Sequence, residues 1–271
     1  MAAPPPIYIP SKGRPHNCVT AAALAAGGVG RFYVVVEPGQ RRAYAEGLRE
    51  NGAAQLLVLP RNNRGIAYAR RWIQAHAAKA APGGLHWQLD DDVTFARRSR
   101  HRGKYRTRAA RARAVLGPIE AYARAHPNVA IASPRNRTYA FGYDDHPAVT
   151  ANRQCVTCML LRDVGLRFRS GVIEDTDYSM QVLHRGHCTA IFNRLLFTNP
   201  PQASSEGGNS DSLHHGRITA LQRQLAQNWN KIYPGAFRIE RRSTGVASRV
   251  LPSRVWAQFP QRPRRAKATA T

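Results

Sequence analysis

The sequence predicts an α/β fold, a mostly parallel sheet flanked by helices. Three observations carry that prediction. Strand-like and helix-like segments alternate through the first 92 residues. The strand segments are near-continuous apolar runs, as expected of strands covered on both faces. The polar clusters SKGRP, EPGQ, PRNNRG and DDD all fall where those strands end, which is the edge where such sheets bind ligands.

The elements follow in order. MAAPPP is a short flexible lead-in, and PIYIPSKGRP is an apolar strand running into a polar loop with Gly and Pro. NCVTAAALAAGG is a small-residue helix ended by Gly-Gly. RFYVVVEPGQ is a β-branched strand stopped by Pro-Gly, and RRAYAEGLRENG a helix closed by Asn-Gly. AQLLVLP is the third strand. NNRGIAYARRWIQAHAAKA is a helix with Asn as its expected cap, and Ile66, Ala69, Trp72, Ile73 and Ala77 recur at helical spacing. LHWQLDDD is the fourth strand. Beyond it, RAVLGPIEAYARAHP reads as a helix interrupted by Pro, NVAIASP as a strand and RNRTYAFGYDDHPA as a loop. CVTCMLLR and CTAIFNRLLF read as two more strands, with GVIEDTDYSMQVLHRG between them as a loop entering a helix. PPQASSEGGNSDSLHH is a Gly/Ser-rich loop, ITALQRQLAQNWNKIYP an amphipathic helix, and PQRPRRAKATAT a tail expected to be disordered. There is no internal repeat.

The 271 residues allow one large α/β domain or two small ones, and 43% hydrophobic content supplies a core. Lys and Arg number 41 against 16 Asp and Glu, a net charge of +25. That balance favours a polyanionic partner: DNA, RNA or anionic lipid. An Arg- and Ala-rich coding bias explains some of the arginines but not the scarcity of acids, so nucleic acid is the expected partner. No apolar run is long enough to span a bilayer and no signal segment opens the chain, so a cytoplasmic protein without a membrane partner is expected. The irregular spacing of Cys18, Cys155, Cys158 and Cys188 fits reduced thiols. Cys155 and Cys158 form a C-x-x-C, but inside an apolar strand with no second Cys or His pair near it in sequence, so packed thiols are favoured over zinc or redox chemistry.

Four constellations carry chemistry. Asp90, Asp91 and Asp92 leave a strand together, and alternation lets Asp90 and Asp92 converge while Asp91 faces the other way or toward a ligand hydroxyl. Such a pair suits a hard divalent cation, Mg²⁺ or Mn²⁺, which in turn holds a diphosphate. The competing reading is a solvated acidic turn paired with arginines. Glu174, Asp175 and Asp177 sit at a helix start, where one of them is expected to cap the helix and another to serve as general base. His214 and His215, in the Gly/Ser-rich loop, are candidate metal ligands or phosphate contacts. Residues 97–113 hold nine Lys or Arg, one Tyr and no acid. This run is expected to form a nucleic-acid backbone-binding surface, or a loop that orders on contact, with salt-sensitive affinity.

PSKGRP, VVVEPGQ, NNRGIAYARRW, LDDD and GVIEDTDYSM, in that order, resemble a GT-A glycosyltransferase. The closest resemblance is to the phage and bacterial branch associated with TET/JBP base hydroxylases, thought to put sugars on hydroxymethylated pyrimidines in DNA. It covers about residues 6–220, and LDDD with EDTD is its most specific pair. The resemblance implies a GT-A domain over residues 6–240, between a flexible 1–5 and a basic, partly disordered 241–271. Within it, residues 6–95 bind the nucleotide sugar, 96–114 are a basic insertion, and 115–240 form the acceptor half. It implies a UDP-sugar donor near Ser11, Lys12, Arg14, Glu37, Asn63, Arg64, Gly65, Asp90 and Asp91. It implies Mn²⁺ or Mg²⁺ held by Asp90 and Asp92, with His214 or His215 completing the shell. Asp175 or Glu174 would be the base of an inverting transfer. Modified duplex DNA would lie on Arg97, Arg98, Arg100, Arg102, Lys104, Arg106, Arg108 and Tyr139, with the target base flipped out. Tyr105, Tyr139, Phe141 and Tyr143 can stack on bases or pack ordinarily. For a phage-encoded chain the compartment would be the host cytoplasm. The middle Asp departs from the usual D-x-D pattern, so either pair of neighbours can supply the ligands.

Two alternatives stand beside this reading. A nucleotidyltransferase acting on a sugar phosphate would use the same sheet and acids, but PSKGRP has one Gly where a Gly-rich loop is expected. A non-catalytic DNA-binding protein would use its acids only to pair arginines.

Overall fold

The computed structural model describes residues 3–49, 51–141, 146–200, 220–242, 245–250 and 252–266. Its first half follows the alternation of the sequence. Strands β1 (Ile7–Pro10), β2 (Phe32–Val36), β3 (Ala54–Val58) and β4 (Leu85–Leu89) alternate with helices α1 (Val19–Ala26), α2 (Arg41–Gly47) and α3 (Ile66–Ala80). These four strands pair in parallel in the order β3-β2-β1-β4. The second half adds β5 (Thr94–His101), β6 (Lys104–Ala109), α4 (Ala112–Ala125), β7 (Val129–Asn136), β8 (Val149–Ala151), β9 (Cys158–Arg162), α5 (Glu174–His184) and β10 (Cys188–Thr198). One sheet of ten strands results, in the order β3-β2-β1-β4-β9-β7-β10-β5-β6, with β8 also on β10. β9 lies antiparallel between β4 and β7, so β4, β7 and β10 still point the same way.

Alternation along the strands builds two layers. Ile7, Ile9, Phe32, Val34 and Val36 face α1, α2 and α4 in the main core. Tyr8 and Val35 point the other way, against Ala69, Ile73 and Ala77 of α3. Tyr178 and Val182 of α5 pack on Ile131, Met159 and Leu161 on that second face. Proline 118 sits inside α4 without ending it. All four cysteines are free and buried.

Two segments differ from the sequence reading. The basic run is an antiparallel hairpin, β5–β6, that extends the sheet edge, and not a loop awaiting a partner. Its turn places Arg102 at φ 47 and Gly103 at φ 78, the left-handed pair of a tight hairpin turn. The C-terminal tail is held as far as residue 266. After α6 (Ala220–Ile232), a hairpin of β11 (Phe237–Arg242) and β12 (Gly245–Val250), and α7 (Pro252–Ala257), the chain runs back along the domain. Asn152 Nδ2 donates to the carbonyls of Phe259 (2.9 Å) and Gln261 (2.7 Å). Asn128 receives the Arg264 N–H at 2.8 Å and donates to the Arg262 carbonyl at 2.9 Å. These side-chain amides satisfy the backbone of a proline-interrupted segment that has no ladder of its own. Among the described residues no helix is long and apolar enough to cross a membrane.

Candidate functional site

β1, β2, β3 and β4 end at one edge and deliver four polar segments there. The outer group is a small network. Lys12 Nζ lies 3.2 Å from Glu37 Oε1 and 3.1 Å from Oε2, and donates to Asn63 Oδ1 at 2.7 Å. The Asn63 N–H donates to Glu37 Oε1 at 2.8 Å. Asn63 reaches that position with φ 54, and Gly65 at φ 76 turns the chain into α3. Arg64 is exposed beside them. The structure therefore brings together four residues from three different strand ends: Lys12, Glu37, Asn63 and Gly65.

The inner group surrounds the aspartate triplet. Thr20, at the start of α1, pins its backbone: the Thr20 hydroxyl donates to the Asp90 carbonyl (2.5 Å) and accepts from Val93 N–H (2.7 Å), and the Thr20 N–H donates to the Asp91 carbonyl (3.0 Å). The Asp91 side chain turns inward. It accepts from Ser11 Oγ at 2.5 Å and from Arg14 at 2.5 Å, while Ser11 Oγ also meets the Tyr44 hydroxyl at 2.6 Å. Arg14 reaches Asp92 as well, at 3.4 Å. Ser11 and Arg14 thus support the triplet in this structure. The loop that carries them lies hard against α2, where a Cβ on Gly47 would come within 2.1 Å of the Pro15 carbonyl oxygen. Asp90 and Asp92 are only partly buried, Asp91 almost fully. Burial, then the neighbouring Asp90 and Asp91, push the Asp92 carboxyl up to about 6, with Arg14 opposing.

Arg70 joins this group to the second acidic motif. It projects from α3, is 2% exposed, and donates to Asp90 Oδ1 at 2.8 Å. Its Nε lies 3.5 Å from Glu174 Oε1. Its Nη1 is buried without a hydrogen-bond partner. Glu174 and Asp175 occupy the first turn of α5, where the helix dipole favours negative charge. Burial nonetheless raises both carboxyls, with Asp90 adding to each, Glu174 adding to Asp175, and Arg70 opposing. The expectation that one acid caps α5 is not met. Ile173 is the N-cap and no side chain caps it; Asp175 Oδ1 accepts the Thr176 N–H at 2.5 Å inside the first turn. Asp177 is fully buried and turned away, held by Arg169 (2.8 and 2.5 Å) and Gln181 (2.7 Å), so its role is in packing.

Sequence reasoning missed Arg70, Thr20 and Tyr44. A signal for Arg70 exists: it falls one turn from Ile66 and one turn from Ile73, inside the apolar stripe of α3. A cation at an inward position requires a buried acid. Thr20 and Tyr44 carry no comparable signal.

The donor chemistry of the edge fits a hard divalent ion. Asp90 and Asp92 offer carboxylate oxygens that still reach solvent, and the Asp92 carboxyl is raised by burial first and by the neighbouring aspartates second. Among the described residues no group of three or more His, Cys, Asp and Glu is arranged to hold a metal. Any further ligand from the chain would have to come from elsewhere; His214 and His215 lie outside the described residues.

The hairpin sorts the basic run into two faces. Arg97 faces Arg108 across the strands, Ser99 faces Arg106 and His101 faces Lys104, so four exposed cations share one face. Arg98 and Arg100 lie on the other face, opposite Thr107 and Tyr105, and Arg102 is in the turn. Tyr139 is 66% exposed, in the segment after β7.

The sequence profile of the TET-Associated Glycosyltransferase family matches residues 5–208. No curated protein matches the chain. Among solved structures it is similar to S. aureus TarS 1–349, at 13% identity and a TM-score of 0.43, covering 70% of this chain and 59% of that one. It is also similar to GalNAc-T7 with UDP, GalNAc and Mn²⁺, at 11% identity and a TM-score of 0.45, covering 73% of this chain and 45% of that one. The chain therefore spans less than two thirds of either structure. The profile match runs from before β1 to beyond β10 and takes in the whole edge from Ser11 to Asp175, and on it the chain belongs to the TET-Associated Glycosyltransferase family.

Proposed function

We propose that the protein is a metal-dependent glycosyltransferase. It would move a sugar from a UDP-sugar to the hydroxymethyl group of 5-hydroxymethylcytosine or 5-hydroxymethyluracil in DNA. The observation that carries the reading is the Arg70 junction, which ties Asp90 of the triplet to Glu174 of the second acidic motif. The link sets the candidate metal-holding acid and the candidate base within reach of one guanidinium, at the same edge of the sheet.

Asp90 and Asp92 would hold Mn²⁺ or Mg²⁺. The ion would stabilise the charge that develops on the departing diphosphate. Lys12, Asn63 and Arg64, with the N-terminus of α3, present positive and N–H groups toward the nucleotide. Asp175, with Glu174 beside it, takes the proton of the acceptor hydroxyl as that oxygen bonds to the anomeric carbon and the bond to the diphosphate oxygen breaks. Burial holds the proton affinity of both carboxyls above the ordinary range, which suits a base working near neutral pH. The cationic face of β5–β6 follows within a few residues of the triplet and is suited to duplex phosphates.

A second reading has one observation in its favour. Arg14 and Arg70 already pair the triplet within the chain, which is what a non-catalytic DNA-binding protein would need. One experiment separates the two. The protein is incubated with hydroxymethylated or unmodified DNA, a panel of UDP-sugars and Mn²⁺, and nucleosides are read by mass spectrometry. A sugar mass appearing only on hydroxymethylated DNA, lost in Asp92→Ala with DNA binding retained, supports transfer. Absence of both transfer and metal-dependent UDP release leaves the binding protein.

A further inference from the structure

Two large hydrophobic side chains stand out on the surface. Tyr139 is 66% exposed and Phe141 64%, the highest values for such residues among those described. Both follow β7, which ends at the same edge as β4 and lies two strands away from it in the sheet, about 10 Å at the usual strand spacing. An isolated exposed aromatic needs no explanation. Phe141 is not isolated. The Arg98 guanidinium carbon lies 4.6 Å from its ring centre, on one side. Arg98 is itself 6% exposed and donates to Thr107 Oγ1 at 3.3 Å. It also lies 5.4 Å from the Tyr105 ring, which in turn carries Arg194 at 5.5 Å and receives that arginine's hydrogen bond at 2.9 Å.

The side chains therefore form an alternating column: Phe141, Arg98, Tyr105, Arg194. Its inner members are fixed by the sheet and its outermost ring is largely open to water. Packing alone does not require this arrangement, since covering Phe141 would remove apolar surface from water. A flat heteroaromatic ring placed on the open side would continue the column by stacking, and the cation beneath strengthens the ring's attraction for it.

We propose that Phe141, backed by Arg98, is a stacking platform for an unpaired nucleobase of a polynucleotide. The inference rests on the reading of DNA as acceptor and deepens it: one base is received on Phe141, on the ribbon face that also carries the exposed Arg100. The uracil of a nucleotide sugar is the other source of such a ring, and the test separates the two.

The full chain is titrated into a single-stranded oligonucleotide carrying one 2-aminopurine, whose fluorescence is quenched on stacking, with no sugar donor present. The wild-type protein is expected to quench it at saturation. Phe141→Ala is expected to abolish the quench and weaken binding about tenfold, while Phe141→Trp retains both. Because Phe141 is exposed, its replacement leaves the fold in place, checked by an unchanged melting temperature. Three results overturn the proposal: no quench by wild type, a quench that survives in Phe141→Ala, or a quench abolished by millimolar UDP. The assay needs neither transfer nor a modified base, so failure of glycosyl transfer leaves it untouched, and its failure leaves transfer untouched.

Discussion

At the end of β4 each aspartate of the triplet has an arginine against it, Arg70 buried and Arg14 largely so; on the β5–β6 ribbon four cations share one face, and neither strand contains an acid. The two regions are adjacent in sequence and manage charge in opposite ways. Buried charges interact through a poorly screening medium, so each must be matched by a partner at bonding distance. Exposed like charges are separated by water and salt, whose screening length is about 8 Å at physiological strength, and they tolerate one another. The acidic edge is therefore a structural commitment, which a ligand can modify only by competing with Arg14 and Arg70. The ribbon is an uncommitted surface whose partner must be external.

The sharpest way to break this contrast is to remove a buried cation. Arg70→Met leaves Asp90, Glu174 and Asp175 without the guanidinium that faces them. Removing one partner of a fully buried pair costs about 3–5 kcal/mol; Arg70 is 2% exposed but Asp90 keeps 36% of its side chain in solvent and Glu174 17%, so a loss of about 2 kcal/mol is expected. Urea unfolding at pH 8 measures it. Adding Asp90→Asn and Glu174→Gln to the same variant is expected to restore part of the loss, because the uncompensated charge is then gone. A loss below about 1 kcal/mol would show that the edge is no more committed than the ribbon.

Arg70 also marks the limit of what was legible. The helix containing it was readable from Ile66, Ala69, Ile73 and Ala77, but a stripe read for apolar residues passes over the cation embedded in it. The parallel half from β1 to β4 was legible because each strand is a local apolar run and each helix a local stripe. The triplet's position at the strand ends came with that reading. The insertion of β9 between β4 and β7 was not legible, since pairing partners far apart in sequence leave no local period. The basic run was expected as a backbone-binding surface or an ordering loop, and its strands went unread because seven cations between Arg97 and Arg108 hide a period of two: Arg97, Ser99 and His101 face Arg108, Arg106 and Lys104. The Arg102–Gly103 turn was the available clue. Asp175 and Glu174 were named from sequence, but their link to Asp90 depends on a side chain from α3.

A smaller effect sharpens the acidic side of the contrast. Without divalent ions, the Asp92 carboxyl sits at about 6 against an ordinary 3.8. The folded protein then binds that proton more tightly than the unfolded chain does. The stabilising contribution is complete below about pH 4 and is lost as pH rises through 6. At pH 8 the ionised group opposes folding, by about 1–2 kcal/mol after allowance for its partial exposure. Asp92→Asn is expected to raise unfolding free energy by that amount at pH 8 and to change little at pH 4. Millimolar Mn²⁺ should raise the melting temperature of the wild type at pH 8 and not that of the variant. Identical stability profiles for the two proteins across this pH range would show that the Asp92 carboxyl is not raised by its burial beside Asp90 and Asp91.

The ribbon predicts almost no effect on stability, and that near-absence is its test. Arg106 and Arg108 are exposed on its outer face. Arg106→Ala with Arg108→Ala is expected to change unfolding free energy by less than about 0.5 kcal/mol, in contrast to the single buried Arg70. Relief of like-charge repulsion across the strands offsets whatever packing their stems supply. The change should appear instead in binding to duplex DNA. Each phosphate contact releases counterions and adds about 0.9 to the slope of log affinity against log salt. Loss of two contacts would flatten that slope by about 1.8, equally for modified and unmodified sequences, because phosphates carry no base identity. A steep fall in stability with an unchanged salt slope would mean that these arginines serve the fold, and the two regions would then differ in exposure but not in purpose.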